Sequence, residues 1–190
     1  MSRLSPFFVS LPSVLTVASL AGTAALMGCN AAPIAPVVAI DPGDPTTVDD
    51  FELVFLSRAQ DPDLADTVTY DIRWYLDGAE VEDLVGKLGV TADRTAKGQE
   101  WVAHVVPIDS EGEAGQGAEA VVTVQNTPPL AQVEITPSEP GSYEDLTAVA
   151  TGEDIDWDSI TYTYAWLRNG ELVEDQTGSV VTADATVKGE

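Results

Sequence analysis

The chain has 190 residues and carries 8 Lys and Arg against 32 Asp and Glu, a formal net charge of −24. A surface this acidic repels a phosphate backbone, which excludes nucleic acid as a partner, and suits solubility or the attraction of divalent cations. One Cys and one His allow neither an internal disulfide nor a Cys/His zinc site, while 44% hydrophobic residues alternating with polar ones mark a folding chain.

Residues 1–28 open with Arg3 and no acid, then run apolar from Phe7 and Phe8 through Leu15, Val17 and Leu20 to Leu26. That is the layout of a secretory signal peptide. Pro12, Gly22 and scattered Ser and Thr make it too short and broken for a membrane span. It ends Leu26-Met27-Gly28-Cys29, which resembles the lipobox of bacterial lipoproteins. There a peptidase cuts just before a Cys whose thiol carries diacylglycerol. Leu26 and Gly28 match that motif, and Met27 is bulkier than its usual small residue. The resemblance implies lipidation of Cys29, export, and anchoring to the bacterial envelope, at the outer membrane or cell surface. Each buried methylene contributes about 0.8 kcal/mol, so two or more acyl chains hold stably. Residues 29–35, rich in Ala and Pro, read as a short semi-extended tether.

The remainder is one unit written twice. Pro33, Ile40, Pro42, Pro45 and Asp50 recur 95 residues later as Pro128, Ile135, Pro137, Pro140 and Asp145. Thr69, Tyr70, Trp74, Gly78, Val81, Glu82 and Asp83 recur 92 later, from Thr161 and Trp166 to Asp175. Thr91, Ala92, Asp93, Thr95, Lys97 and Gly98 recur 91 later, from Thr182 to Gly189. The order is kept and the offset drifts only across loops, which defines a first repeat over 36–125, a linker at 126–130 and a second repeat over 131–190.

Within the first repeat, turn signals separate short alternating segments, which predict strands near 36–41, 50–57, 67–76, 79–82, 87–92, 99–107 and 117–125. Val68, Tyr70, Ile72 and Trp74 share one face against Thr69, Asp71 and Arg73; Ile160, Tyr162, Tyr164 and Trp166 repeat the pattern. Asp77-Gly78 and Asn169-Gly170 follow directly, as hairpin turns require. Trp101, Ala103 and Val105 point inward, which leaves His104 on the solvated outer face. The expected fold is all-β: tandem immunoglobulin-like sandwiches after a signal peptide. The second lacks counterparts of the last two strands and is therefore incomplete.

These motifs (the Asn-x-Pro-Pro linker, the acid-rich loop before Ser-Ile-Thr-Tyr-x-Tyr-x-Trp, Asn-Gly, and Thr-x-Lys-Gly) resemble the immunoglobulin-like, PKD-like tandem repeats of large secreted bacterial proteins. The resemblance covers about residues 33–190. It implies that Trp74 and Trp166 are the core tryptophans of the third strand, with Trp101 packing nearby. Many such repeats bridge their sheets with a Cys pair. Leu53 and Ala103, and Ala148 in the second copy, stand at the matching places, so packing alone must serve.

The loop before each tryptophan strand is acidic: Asp61, Asp63 and Asp66 in the first copy, Asp154, Asp156 and Asp158 in the second. Carboxylates on alternating loop residues can converge on a hard cation, which makes calcium the candidate ligand. The competing reading is a turn in which each Asp bonds its own backbone. Trp157 stands where related loops usually carry Gly and is a candidate contact for a protein or sugar. Nothing assembles a catalytic set: His104 lacks a plausible nucleophile once Cys29 is lipidated, and no phosphate loop or nucleophile elbow occurs. The chain therefore reads as a non-enzymatic binding or scaffold module that needs no cofactor for its fold and meets surface proteins or glycans. The alternative is a spacer stalk for a functional domain, such as an enzyme, lying C-terminal to these repeats.

Overall fold

The computed structural model describes residues 30–185. The signal-peptide stretch, Cys29, and Thr186, Lys188 and Gly189 lie outside the described residues. Secondary structure among the described residues is all-β apart from three short 3-10 turns, and no helix there is long and apolar enough to cross a membrane.

The first repeat is a complete sandwich. Strands β1 (Val37–Asp41), β2 (Phe51–Ser57) and β5 (Gly89–Val90) form one antiparallel sheet in the order β1-β2-β5. Strands β3 (Thr69–Leu76), β4 (Ala79–Glu80), β6 (Glu100–Ile108) and β7 (Ala118–Thr123) form the other, in the order β4-β3-β6-β7. All seven predicted strands are present. Two are shorter than expected, because 3-10 turns at Glu82–Leu84 and Ala92–Arg94 take up their ends. Asp77 and Gly78 both have positive φ, 48° and 83°, the backbone a two-residue hairpin turn demands.

Alternation places the core. Ile72 and Trp74 of β3, Trp101, Ala103 and Val105 of β6, and Phe51 and Leu53 of β2 are all buried in one cluster. Trp74 is fully excluded from solvent. Its ring meets Phe51 at 5.9 Å and Trp101 edge-on at 6.5 Å, and its indole N–H donates to the Lys87 carbonyl at 3.0 Å. Apolar area and a satisfied polar tip are thus combined in one side chain. Leu53 and Ala103 are buried in opposite sheets.

The second repeat follows the same plan as far as its strands go. Strands β8 (Leu130–Thr136), β9 (Leu146–Glu153) and β12 (Val180–Val181) pair in the order β12-β9-β8, matching β5-β2-β1. Strands β10 (Leu167–Arg168) and β11 (Glu171–Leu172) flank Asn169 and Gly170, whose φ values are 51° and 87°. Individual hydrogen bonds recur: the Trp166 indole donates to the Gly178 carbonyl at 2.9 Å, and Ala183 N donates to Asp145 as Ala92 N does to Asp50.

One expected strand is missing. Residues 159–166 carry the alternation of β3 yet form no ladder. In the first repeat β3 is paired along its whole length with β6, from Thr69 opposite Ile108 to Leu76 opposite Trp101. The second repeat has no described counterpart of β6 or β7. A strand is defined by the partner that satisfies its backbone, so alternation alone does not make this segment a strand. Burial follows: among the described residues of the second copy only Ala148 and Val181 join the buried hydrophobics, and every residue of β8 is exposed.

Candidate functional site

The acidic loop of the first repeat lies at the end of the sandwich where the chain enters it. Asp61 Oδ1 accepts the Asp63 amide at 2.7 Å, which folds the loop into an Asx turn. Asp63 Oδ2 in turn accepts the Ala31 amide at 2.8 Å. The pairing of β3 with β6 carries Asp109, the residue after β6, to the same end. Carboxylate oxygens of Asp61, Asp66 and Asp109 lie within 4.8 Å of one another, so these three could hold a metal ion.

Their hydrogen bonding is uneven. Asp109 is 4% exposed and well satisfied: Oδ1 accepts the amides of Glu111 at 2.9 Å and Glu113 at 2.8 Å, and Oδ2 accepts the Asn30 carboxamide at 2.7 Å. Burial alone pushes its pKa up, but the Asn30 amide and the backbone N–H groups of Glu113, Glu111 and Gly112 outweigh that and hold it below the ordinary carboxylate value. It is therefore ionised at neutral pH. Asp66 Oδ1 accepts the Ser110 hydroxyl at 2.7 Å. Asp61 Oδ2 is buried with no hydrogen-bond partner. A buried carboxylate oxygen without a donor is costly unless a cation or other donor meets it.

Of the acids expected to converge on a cation in this loop, Asp61 and Asp66 fall within the group and Asp63 does not, its Oδ2 accepting the amide of the entering chain. Sequence reasoning missed Asp109, although an acid-rich run directly after a strongly predicted strand was a usable signal. In the second copy the expected trio does not converge. Asp154 Oδ1 accepts the Asp156 amide at 2.8 Å, repeating the Asx turn. Asp156 Oδ2 accepts the Thr127 amide at 2.7 Å, and Asp158 pairs with Lys97 Nζ at 2.6 Å. The hydroxyl of Thr47, then the Thr127 amide and the nearby Lys97 charge, hold the Asp156 pKa down against the effect of burial. These acids fasten the repeats together. Among the described residues no group of three acids in the second copy comes together as Asp61, Asp66 and Asp109 do.

The same geometry corrects the tether. Residues 30–35 are docked on the first sandwich: Asn30 on Asp109, Ala31 on Asp63, and the Ile34 amide on the Gln60 carbonyl at 2.8 Å. Pro33 is buried. A Cβ built on Gly115 would lie 2.1 Å from the Pro33 carbonyl oxygen, so only Gly admits this approach. Gly115→Ala should therefore lift the segment off and cost about 1–3 kcal/mol, as overpacking does. Denaturant unfolding and faster exchange of the Ile34 amide would register it; unchanged exchange would contradict the docking.

Two other candidates are also located. His104 is half-buried rather than solvated, beside Gly117 and between Arg73 and Glu119 in the outer register of β6. Trp157 is 93% exposed with φ of 61°, a left-handed backbone that side chains seldom adopt and that favours Gly. In comparisons with protein-family models and with curated proteins, the chain matches none.

Proposed function

We propose that this chain is a lipid-anchored protein of the bacterial envelope whose immunoglobulin-like repeats act as a non-catalytic binding or scaffold module. The observation that carries the reading is the position of its sole Cys. Cys29 ends an apolar export-type segment in the order Leu-Met-Gly-Cys and directly precedes Asn30, the residue seated on Asp109. With lipid on Cys29, the sandwich stands directly on the membrane surface, its acidic loops at the base. Calcium is the ion we assign to Asp61, Asp66 and Asp109, since an all-carboxylate set is hard and flexible and the surrounding charge is negative. Bound there, it would supply charge neutralisation and rigidity at the chain's entry, not chemistry. Exposed Trp157, near the junction of the repeats, is the aromatic we assign to contact with surface proteins or glycans.

The test is Cys29→Ser expressed in bacteria beside the unaltered chain. The unaltered protein should incorporate a fatty-acid analogue and sediment with membranes. The variant should lose the label and appear in the soluble fraction. Label retained by the variant overturns the reading.

A further inference from the structure

We propose that the cleft at the junction of the two repeats receives an arginine side chain from an extended segment of a partner protein. The proposal rests on reading the repeats as a binding module that uses Trp157, and it names the chemistry that this aromatic meets.

The first repeat supplies the comparison. Beside its acidic loop lies a cleft of about 390 Å³, bordered by Asp61, Asp66, Leu64 and Arg58. Arg58 is the cation of that cleft, its guanidinium 5.2 Å over the Phe55 ring. The ladders set Leu53 opposite Ile40 and Ala148 opposite Ile135, so β2 and β9 align at the offset of 95. On that offset Phe55 becomes Ala150 and Arg58 becomes Glu153. Asp154 and Asp158 stand for Asp61 and Asp66, and Trp157 stands for Leu64. The second cleft thus keeps the acids, has a carboxylate where the first has a guanidinium, and carries its aromatic on the loop. It is also larger, about 820 Å³, with Val48, Thr127 and Pro128 of the junction in its wall. Val68 and Tyr70 line the first cleft with β6 paired alongside, so a cleft at this place does not depend on what lies beside Ile160 and Tyr162.

The electrostatics of the second cleft select a cation. Lys97 reaches in from the first repeat, but its ammonium sits on Asp158 at 2.6 Å. Asp154 spends Oδ1 on the Asp156 and Asp158 amides, and neither Asp154 nor Glu153 is in an ion pair among the described residues. Two carboxylates therefore remain beside an indole that is 93% exposed, on a chain of net charge −24. A guanidinium meets both, because its planar fork matches a carboxylate and its face stacks on an aromatic ring. An ammonium is a point charge and does neither as well. Val48, Pro128 and Ile155 offer apolar surface to the residues on either side of the arginine.

The experiment is NMR titration of the full chain with three capped peptides: Gly-Val-Arg-Val-Gly, and the same sequence with Lys or citrulline in place of Arg. The Arg peptide should shift the Trp157 indole N–H and the Glu153 amide saturably. The Lys peptide should bind at least about threefold more weakly, and the citrulline peptide, which has the shape without the charge, should not saturate. Glu153→Arg restores the charge pattern of the first cleft and should weaken the Arg peptide about tenfold or more. Glu139→Arg, the same charge change in the turn before β9, should alter its affinity less than about twofold. Trp157→Gly, which suits the left-handed backbone, should weaken it about threefold to tenfold. Equal weakening by Glu153→Arg and Glu139→Arg overturns the proposal and leaves only attraction to an acidic chain. Affinity unchanged in Trp157→Gly, or no saturable shift with the Arg peptide, overturns it as well. A saturable shift of Trp157 with a neutral oligosaccharide and none with the Arg peptide also overturns it and makes a glycan the occupant. None of these outcomes touches the lipid on Cys29, whose labelling tests the anchored-module reading separately.

Discussion

Replacing Trp74 with Ala should cost the first sandwich about 3–5 kcal/mol, while the same change at Trp166 should cost the second copy less, about 1–2 kcal/mol. The two residues occupy one position of one repeat, so the difference isolates what surrounds them. Trp74 is fully buried between Phe51 and Trp101 and bonds the Lys87 carbonyl. Its removal leaves a cavity with an orphaned backbone acceptor, in a domain class that retains only about 5–15 kcal/mol in total. Trp166 keeps the equivalent bond to Gly178 but is only partly buried, with no strand over it among the described residues, so less apolar area returns to water when it is lost. Denaturant melts of both variants, read by the remaining tryptophans, compare them directly. Equal losses would mean that the second copy packs its tryptophan as fully as the first.

Calcium should stabilise the first repeat at neutral pH, where Asp109 is ionised. Carboxylate sites of extracellular modules bind with dissociation constants of about 10⁻⁴–10⁻³ M. At a concentration 100 times the dissociation constant, a ligand specific for the folded state contributes about 2.7 kcal/mol. For a domain of this size that corresponds to a rise in melting temperature of about 10 °C or more. Asp61→Asn should abolish most of the gain, because Asp61 carries the buried oxygen with no protein donor. Asp156→Asn should leave it intact, since that side chain serves the junction with Thr127 and Thr47. A calcium gain lost in Asp156→Asn but kept in Asp61→Asn would place the ion in the wrong loop for this account.

The parts of the fold legible in the sequence were those set by local chemistry. Alternation in 67–76 and 99–107, punctuated by Asp77-Gly78, located β3 and β6 and the faces of Trp74, Trp101, Ala103 and Val105. The same signal failed at 160–166, because alternation states which face a strand buries and not whether a partner strand exists. The candidate site was half legible for a related reason. Asp61 and Asp66 share a loop, whereas Asp109 arrives through a pairing of β3 with β6 that no short-range pattern records. The docking of Asn30 on Asp109 was hidden by composition: an Ala- and Pro-rich stretch reads as a linker, yet Gly115 opens the space that lets it lie down.

Intact-mass analysis of the protein extracted from bacterial membranes tests the central claim most directly. The mature chain should begin at Cys29 and be heavier than its polypeptide by a diacylglycerol, with or without a further acyl group on its amino terminus. A chain retaining residues upstream of Cys29, or one carrying a free Cys29 thiol, would contradict it.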